Sequence, residues 1–169
     1  MKIIEAMKRV KSNKEKIADL QNKISLHCAH LSHETPMYKD TESQVKSWLQ
    51  TCEDVVQENI KLLCAIQNTN LKTKVSIEIN GQSVTKTISE WVWRRREYAA
   101  IDMATFSKLN DRGLKEGNFQ TSTGGIMEVK LIRNFDQIKR DEKIAVYRQE
   151  PHQIDSTLEV INATTDLIE

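Results

Sequence analysis

A seven-residue spacing of apolar side chains near the start of the sequence most constrains the fold. The two seam positions of this repeat are occupied by Ile3, Val10, Ile17, Ile24 and Leu31, and by Ala6 and Leu20. Such a repeat is typical of helices that pack side by side. A helix over residues 1–31 would be about 45 Å long, which exceeds the diameter of a compact domain of this size. The sequence therefore predicts a partner helix alongside it.

The partner helix is predicted over residues 42–68. It follows a breaker stretch with Pro36, and Thr41 and Gln44 have capping-box spacing. Its rows are Val45, Cys52, Asn59 and Ile66; Trp48, Val55 and Leu62; and a widening row of Leu49, Val56 and Leu63. Because the connection is short, we predict a long antiparallel helical hairpin. We interpret Asn59 as a core amide that fixes the register, with a ligand contact as the alternative.

A β-hairpin is predicted over residues 73–87. Apolar and polar residues alternate along the strand 73–79, the return strand covers 82–86, and Asn80-Gly81 between them is a strong turn signal. Thr87 and Glu90 then have the spacing of a second capping box.

The second half of the chain predicts two more helices and one more strand. The helices cover residues 88–109 and 135–162, the latter kinked near Pro151. Between them lie a polar loop over 110–125 and a strand over 126–132, which could join the hairpin. The expected fold class is α+β and mainly helical: a long antiparallel helical hairpin, two further helices and a three-stranded antiparallel sheet.

Composition narrows the class of protein. The length fits a single domain, 1–169, and the net charge of +1 provides no global field that would attract nucleic acid or a membrane surface. No apolar run reaches the length of a membrane span, and the N-terminus lacks a signal-peptide core. Three cysteines without CxxC spacing favour free thiols in a reducing compartment. We therefore expect a cytoplasmic protein without nucleic-acid or membrane partners.

A basic and an acidic residue share the predicted core face of the helix 88–109. On a helix at about 100° per residue, Arg95 and Asp102 fall on the apolar face, with Tyr98 on its shoulder. Charges on a buried face are costly unless they are paired or bind a ligand. Two interpretations stay open: a buried structural ion pair, or a pocket for an anion or carboxylate around these three residues.

The opposite side of the same helix carries Trp93 and Ile101, flanked by Arg94 and Arg96. Large aromatic side chains are enriched at subunit interfaces, so these four residues are interface candidates. Chance exposure, or contact with the chain's own loop, is the alternative. Nucleic-acid recognition is disfavoured because no wider basic patch supports it.

The stretch HCAHLSHE is the only concentration of potential metal ligands in the sequence. On a helix, His27, His30 and Glu34 would share one side, a spacing that zinc or iron accepts. The stretch lies where the helix ends before Pro36, however, and no second group of ligands is visible. We favour a solvated helix end and expect no metal and no other cofactor.

Several motifs resemble one protein family. They are IQNTN at residues 66–70, TISEWVWRR at 87–95, MEVK at 127–130 and INATTDLIE at 161–169. On these residues the chain resembles the septicolysin-like family, small bacterial helical proteins whose domain has no assigned function. The chain departs from the family pattern at Arg96, where an acidic residue is usual, and at Ala163, where an aromatic residue is usual. The resemblance implies a helical hairpin with a small sheet, homo-oligomers, and an integron gene cassette on a mobile element as the source.

No Ser-His-Asp order, nucleotide fingerprint or pair of catalytic carboxylates is present. The expected function is therefore a homo-oligomeric helical interaction protein without a recognisable catalytic motif, whose partner is a second copy of itself. The alternative is a small-molecule binding protein or enzyme that uses the pocket around Arg95, Tyr98 and Asp102.

Overall fold

The computed structural model describes residues 1–168; Glu169, the last residue of the C-terminal motif, lies outside the described residues. The fold is α+β and mainly helical, as predicted. The helices are α1 (Ile3–His27), α2 (Thr41–Lys72), α3 (Ile88–Trp93), α4 (Ala99–Ser107) and α5 (Gln137–Thr164). A π-helical turn, Arg94–Tyr98, joins α3 to α4. The strands are β1 (Lys74–Ile79), β2 (Gln82–Thr87), β3 (Gly117–Gln120) and β4 (Ile126–Val129).

The chain divides into two compact units. The first consists of Met1–Thr73, Thr87–Ser89 and the chain from Leu158 onward. The second consists of Lys74–Lys86 and Glu90–Thr157.

The first unit is built on the predicted antiparallel helical hairpin. Asn13, in the first half of α1, donates to Asn59 in the second half of α2, whereas His27 at the end of α1 contacts Trp48 in the first half of α2. The apolar residues buried in these two helices are Ile3, Ala6, Val10 and Leu20 of α1, and Trp48 and Val55 of α2. The seven-residue spacing therefore identified the packed seam, and Asn59 lies in it as predicted.

The helix α1 ends at His27, four residues before the predicted end at Leu31. The ring of His27 packs against Tyr38 and Trp48, with centroid distances of 5.2 and 5.7 Å. The chain must turn here to bring Tyr38 back to the helix, so Leu31 lies outside the helix and is exposed. The helix thus ends at the ring cluster of His27, Tyr38 and Trp48, whereas the heptad pattern continues to Leu31.

The second unit contains both β-hairpins. Asn80 and Gly81 have φ values of 50° and 74°, the left-handed pair that the predicted tight turn requires. The indole of Trp91 in α3 is buried and donates to the carbonyl oxygen of Val75 at 3.1 Å, which holds Trp91 against β1.

The predicted three-stranded sheet is wrong in one respect. The strand expected over 126–132 does not join the first hairpin but pairs with β3, which lies inside the loop predicted over 110–125. A tight turn explains this pairing, since the amide of Thr121 donates to the carbonyl oxygen of Gly125 and Gly124 has a φ of 80°. Pairing with the adjacent segment closes a far shorter loop than pairing with a hairpin 40 residues away, at a lower entropic cost. The result is two two-stranded sheets.

The last helix, α5, continues through Pro151 to Thr164 without interruption. Proline has no amide proton, so the carbonyl oxygen of Tyr147, four residues earlier, lacks its usual helical donor.

The buried amide pair between α1 and α2 generates a prediction. Asn13→Ala removes the donor that reaches the Oδ1 atom of Asn59 at 3.0 Å and leaves that buried oxygen unsatisfied. We expect a loss of about 1–3 kcal/mol in the free energy of unfolding, measured by urea titration at one fixed protein concentration. The control is Gln21→Ala on the exposed side of α1. A loss no larger than that of the control would contradict the role assigned to the pair.

Candidate functional site

The helical segment that carries the predicted site residues contains a π turn. The amide of Ala99 donates to the carbonyl oxygen of Arg94, five residues earlier, instead of the usual four. Such a turn inserts one extra residue into a helix, and π turns are frequent at functional sites. The stretch RRREY is therefore the irregular part of this helix.

The three arginines that follow Trp93 have different environments. Arg94 donates through Nε and Nη2 to both carboxylate oxygens of Glu150, at 2.8 and 2.7 Å, and through Nη1 to Asp102 at 2.6 Å. Arg95 forms an ion pair with Asp155. Arg96 is exposed. The expected pairing of Arg95 with Asp102 is thus corrected: Asp102 pairs with Arg94.

The π turn explains this change of partner. In an uninterrupted helix, seven residues bring Arg95 within about 20° of Asp102, whereas Arg94 is about 80° away. The extra residue rotates the helix beyond the turn by about 100° relative to the part before it. Asp102 therefore moves onto the Arg94 side and away from Arg95. The helical segments on either side of the turn, Ile88–Trp93 and Ala99–Ser107, are too short for the resulting shift in the apolar pattern to be recognised from the sequence.

Glu150 is the most buried charged residue of this cluster, with an exposed fraction of 4%. Its hydrogen bonds raise the pKa of Arg94 above the ordinary value; burial opposes this shift, and the hydrogen bond to Asp102 adds to it. The guanidinium also lies over the ring of Tyr147, at 5.7 Å from its centroid. Arg94 is thus compensated by two carboxylates and covered by a ring.

A cavity of about 410 Å³ lies beside this cluster, in the second unit. Its walls come from the face of the first β-hairpin, from Trp91 and Arg94, and from the α5 side chains between Glu142 and Glu150. The volume is within the range of small-molecule sites. Arg94 is already neutralised by Glu150 and Asp102, so it offers no unpaired charge to an anion.

The predicted ligand site around Arg95, Tyr98 and Asp102 is not assembled as one group. Tyr98 lines a separate depression together with Trp93 and Arg94, while Arg95 points to Asp155. The assignment of these residues to ligand binding stays a prediction.

The predicted interface candidates Trp93 and Ile101 are both exposed, at 48% and 51%. Arg96 is exposed as well, whereas Arg94 belongs to the ion cluster described above rather than to a surface rim. Trp93 and Ile101 therefore lie on the protein surface, and their use in a subunit interface stays a prediction.

The side chains of the histidine-rich stretch have separate environments. His27 packs in the aromatic cluster with Tyr38 and Trp48, whereas His30 is exposed. The carboxylate of Glu34 accepts a hydrogen bond from the amide of Leu31 at 2.8 Å. Among residues 1–168, no three His, Cys, Asp or Glu side chains are grouped so that they could hold a metal ion.

The largest departure from expectation concerns the outer face of α2. Leu49, Val56 and Leu63 were expected to widen the packed seam with α1, but they lie on the solvent side of the helix with Ile60, each 41–48% exposed. We call these four residues the α2 row. Their spacings of seven, four and three residues place them on one narrow stripe of the helix. The seven-residue spacing was visible in the sequence, but which face α1 covers was not.

No protein-family model matches the chain, and no curated protein matches it. Among solved structures, the chain is similar to the crystal structure of a functionally unknown conserved protein from Corynebacterium diphtheriae. The two share 18% sequence identity and a TM-score of 0.56, with 99% of each chain covered. This likeness supports the fold alone.

The helices within residues 1–168 were also compared with the requirements of a membrane span. None of them combines the length and the apolar character that crossing a bilayer requires.

The contrast between Arg94 and Arg95 generates a prediction. Arg94→Ala leaves Glu150 buried without a counter-charge, so we expect a loss of about 3–5 kcal/mol in the free energy of unfolding. Arg95→Ala removes a pair whose two side chains are partly exposed, so water can solvate the remaining carboxylate and we expect a loss of about 0–1 kcal/mol. Denaturant titrations of the two variants measure both values. A loss for Arg95→Ala that equals or exceeds that of Arg94→Ala would contradict this assignment of partners.

Proposed function

We propose that this protein is a non-enzymatic interaction protein that assembles with copies of itself through the α2 row. The observation that carries the proposal is a half-exposed apolar stripe of α2 that lies directly beside the side packed against α1. Contiguous apolar stripes on a protein surface mark sites of interaction.

The arrangement of the α2 row supports a second copy as its partner. Leu49 and Leu63 lie seven residues on either side of Val56, and Cys52 and Ile60 lie four residues on either side of it. The stripe is therefore nearly the same when it is read in either direction. Two such helices that pack antiparallel across a twofold axis at Val56 bring apolar residues opposite apolar residues along the whole stripe, which is the self-complementarity that a twofold interface requires.

The charged residues of α2 are compatible with this packing. The nearest ones to the stripe are Lys46 and Glu53, at its edge, and none lies between Val56 and Leu63 on the stripe itself. An apolar centre with a charged rim is the usual composition of a subunit interface.

The remaining parts of the proposal rest on the resemblance to the septicolysin-like family. That resemblance implies homo-oligomers and so supports self-assembly. A cytoplasmic location and an integron cassette as the source belong to the same proposal. The compensated state of Arg94 favours the assembly function over an anion-binding pocket as the main activity.

A substitution in the α2 row tests the proposal. We expect the unmodified protein to be a stable oligomer at micromolar concentration, as measured by light scattering coupled to size exclusion. Val56→Glu and Leu63→Glu each place a carboxylate in the apolar centre of the contact, so we expect the dissociation constant to rise at least about a hundredfold. Both positions are partly exposed in one chain, so each variant should keep its helical circular dichroism.

The matched control is Gln57→Glu, which adds the same charge at the exposed neighbouring position outside the stripe. It should leave the oligomer unchanged. A mass of one chain, 19.5 kDa, for the unmodified protein would overturn self-assembly. An unchanged oligomer in Val56→Glu would remove the α2 row from the interface.

A further inference from the structure

The segment IMEVKLI, residues 126–132, has a symmetric chemical pattern. Val129 is at its centre, Glu128 and Lys130 flank the centre with opposite charges, and two apolar residues follow on each side. We call residues 126–132 the β4 segment. A strand with this pattern is complementary to an antiparallel copy of itself.

Within residues 1–168, part of the β4 segment has no strand partner. Apolar residues recur at Met127, Val129 and Leu131, but β4 ends at Val129 because its partner β3 begins at Gly117, directly opposite Val129. The amide of Leu131 is held by the carboxylate of Glu116 at 3.0 Å instead of by a strand backbone. That amide faces the β3 side, and β3 is the sole strand paired with β4 among residues 1–168, so the outer edge of β4 is open to a further strand.

The apolar residues at both ends of the segment are among the most exposed in the protein. Ile126 is 77% exposed and Ile132 is 81% exposed. A two-stranded hairpin is marginally stable in water by itself. Here its base is held together by a two-pronged ion pair from Arg133 to Asp111, with both distances 2.7 Å. The hairpin is thus held at its base, while the apolar residues at both ends of the β4 segment are exposed.

We infer that the β4 segments of two copies pair antiparallel across a twofold axis at Val129. In this register Glu128 of one copy lies opposite Lys130 of the second copy, and the reverse pair repeats the contact. Met127 lies opposite Leu131, and Ile126 lies opposite Ile132. The two hairpins thereby become one four-stranded sheet.

Charge selects this register and direction. Within one chain, Glu128 and Lys130 are 3.7 Å apart and largely exposed, so their mutual attraction contributes little. Parallel pairing in register would place Glu128 opposite Glu128 and Lys130 opposite Lys130, which is repulsive, whereas the antiparallel register makes two attractive cross-strand pairs.

The same register makes one apolar sheet face. Phe119 lies directly opposite Met127 in the hairpin, so both side chains are on the same face as Val129 and Leu131. Pairing of two copies joins these residues into one apolar surface across the twofold axis. The other face carries the two charged pairs in its centre, with an Ile126–Ile132 pair on either side of them.

This inference rests on the proposed self-assembly, but it uses residues of the second unit, whereas the α2 row belongs to the first. Two self-complementary surfaces whose twofold axes differ carry a chain beyond a dimer, and the proposal takes these two axes to be different. We therefore expect the unmodified protein to have a mass greater than twice that of one chain.

Charge reversal tests the β4 pairing. Glu128→Lys and Lys130→Glu each place like charges opposite each other twice, so each should raise the dissociation constant of this contact at least about tenfold and leave a dimer held by the α2 row. The double variant, with both charges exchanged, should assemble as the unmodified protein does. An equimolar mixture of the two single variants should also assemble, because each then supplies the charge that the other lacks. Sedimentation velocity over a concentration series measures all four samples.

The results separate the two proposals. Masses that stay unchanged in both single variants would overturn the β4 pairing, and a double variant or mixture that fails to recover would overturn it as well. Val56→Glu reports on the α2 row independently. If the reversed β4 charges give a monomer while Val56→Glu changes nothing, the β4 pairing holds and the α2 row proposal fails.

Discussion

The constraint on which the account depends is that α2 carries apolar residues on two faces, whereas α1 covers only one of them. Trp48 and Val55 are buried on the α1 side, but Val56 and Leu63 remain exposed on the other. The hydrophobic effect favours removal of that second stripe from water, and within one chain α1 does not remove it. The proposed self-assembly would remove this second stripe from water by packing it against a second copy of the chain.

The second unit is organised around a different interaction, the ion cluster of Arg94 with Glu150 and Asp102. A buried carboxylate is tolerated there because both of its oxygens accept from one guanidinium. The π turn places Arg94 in this position, and the ring of Tyr147 covers it. Because its charges are paired with one another, this cluster is more typical of a structural ion-pair network than of a catalytic site. It would fix the helices against which the first hairpin and Trp91 pack.

Much of the fold could be predicted because its signals are local and periodic. The heptad rows gave both long helices and their antiparallel packing, and Asn80-Gly81 gave the first turn. The strand β3 was missed because its residues, from Gly117 to Gln120, are exposed and do not alternate. The partner of Arg95 was missed because one inserted residue rotates the helix beyond it. Which stripe of α2 would be covered depends on tertiary packing, which periodicity alone does not encode.

The most direct measurement of the central claim is a disulfide scan along α2 in a chain whose three cysteines are replaced by serine. A twofold axis at Val56 places this residue next to its counterpart, so Val56→Cys should cross-link two chains rapidly under mild oxidation. Asp54→Cys, on a different side of the same helix, should not. Cross-linking of Val56→Cys that is no faster than that of Asp54→Cys would contradict assembly through this surface.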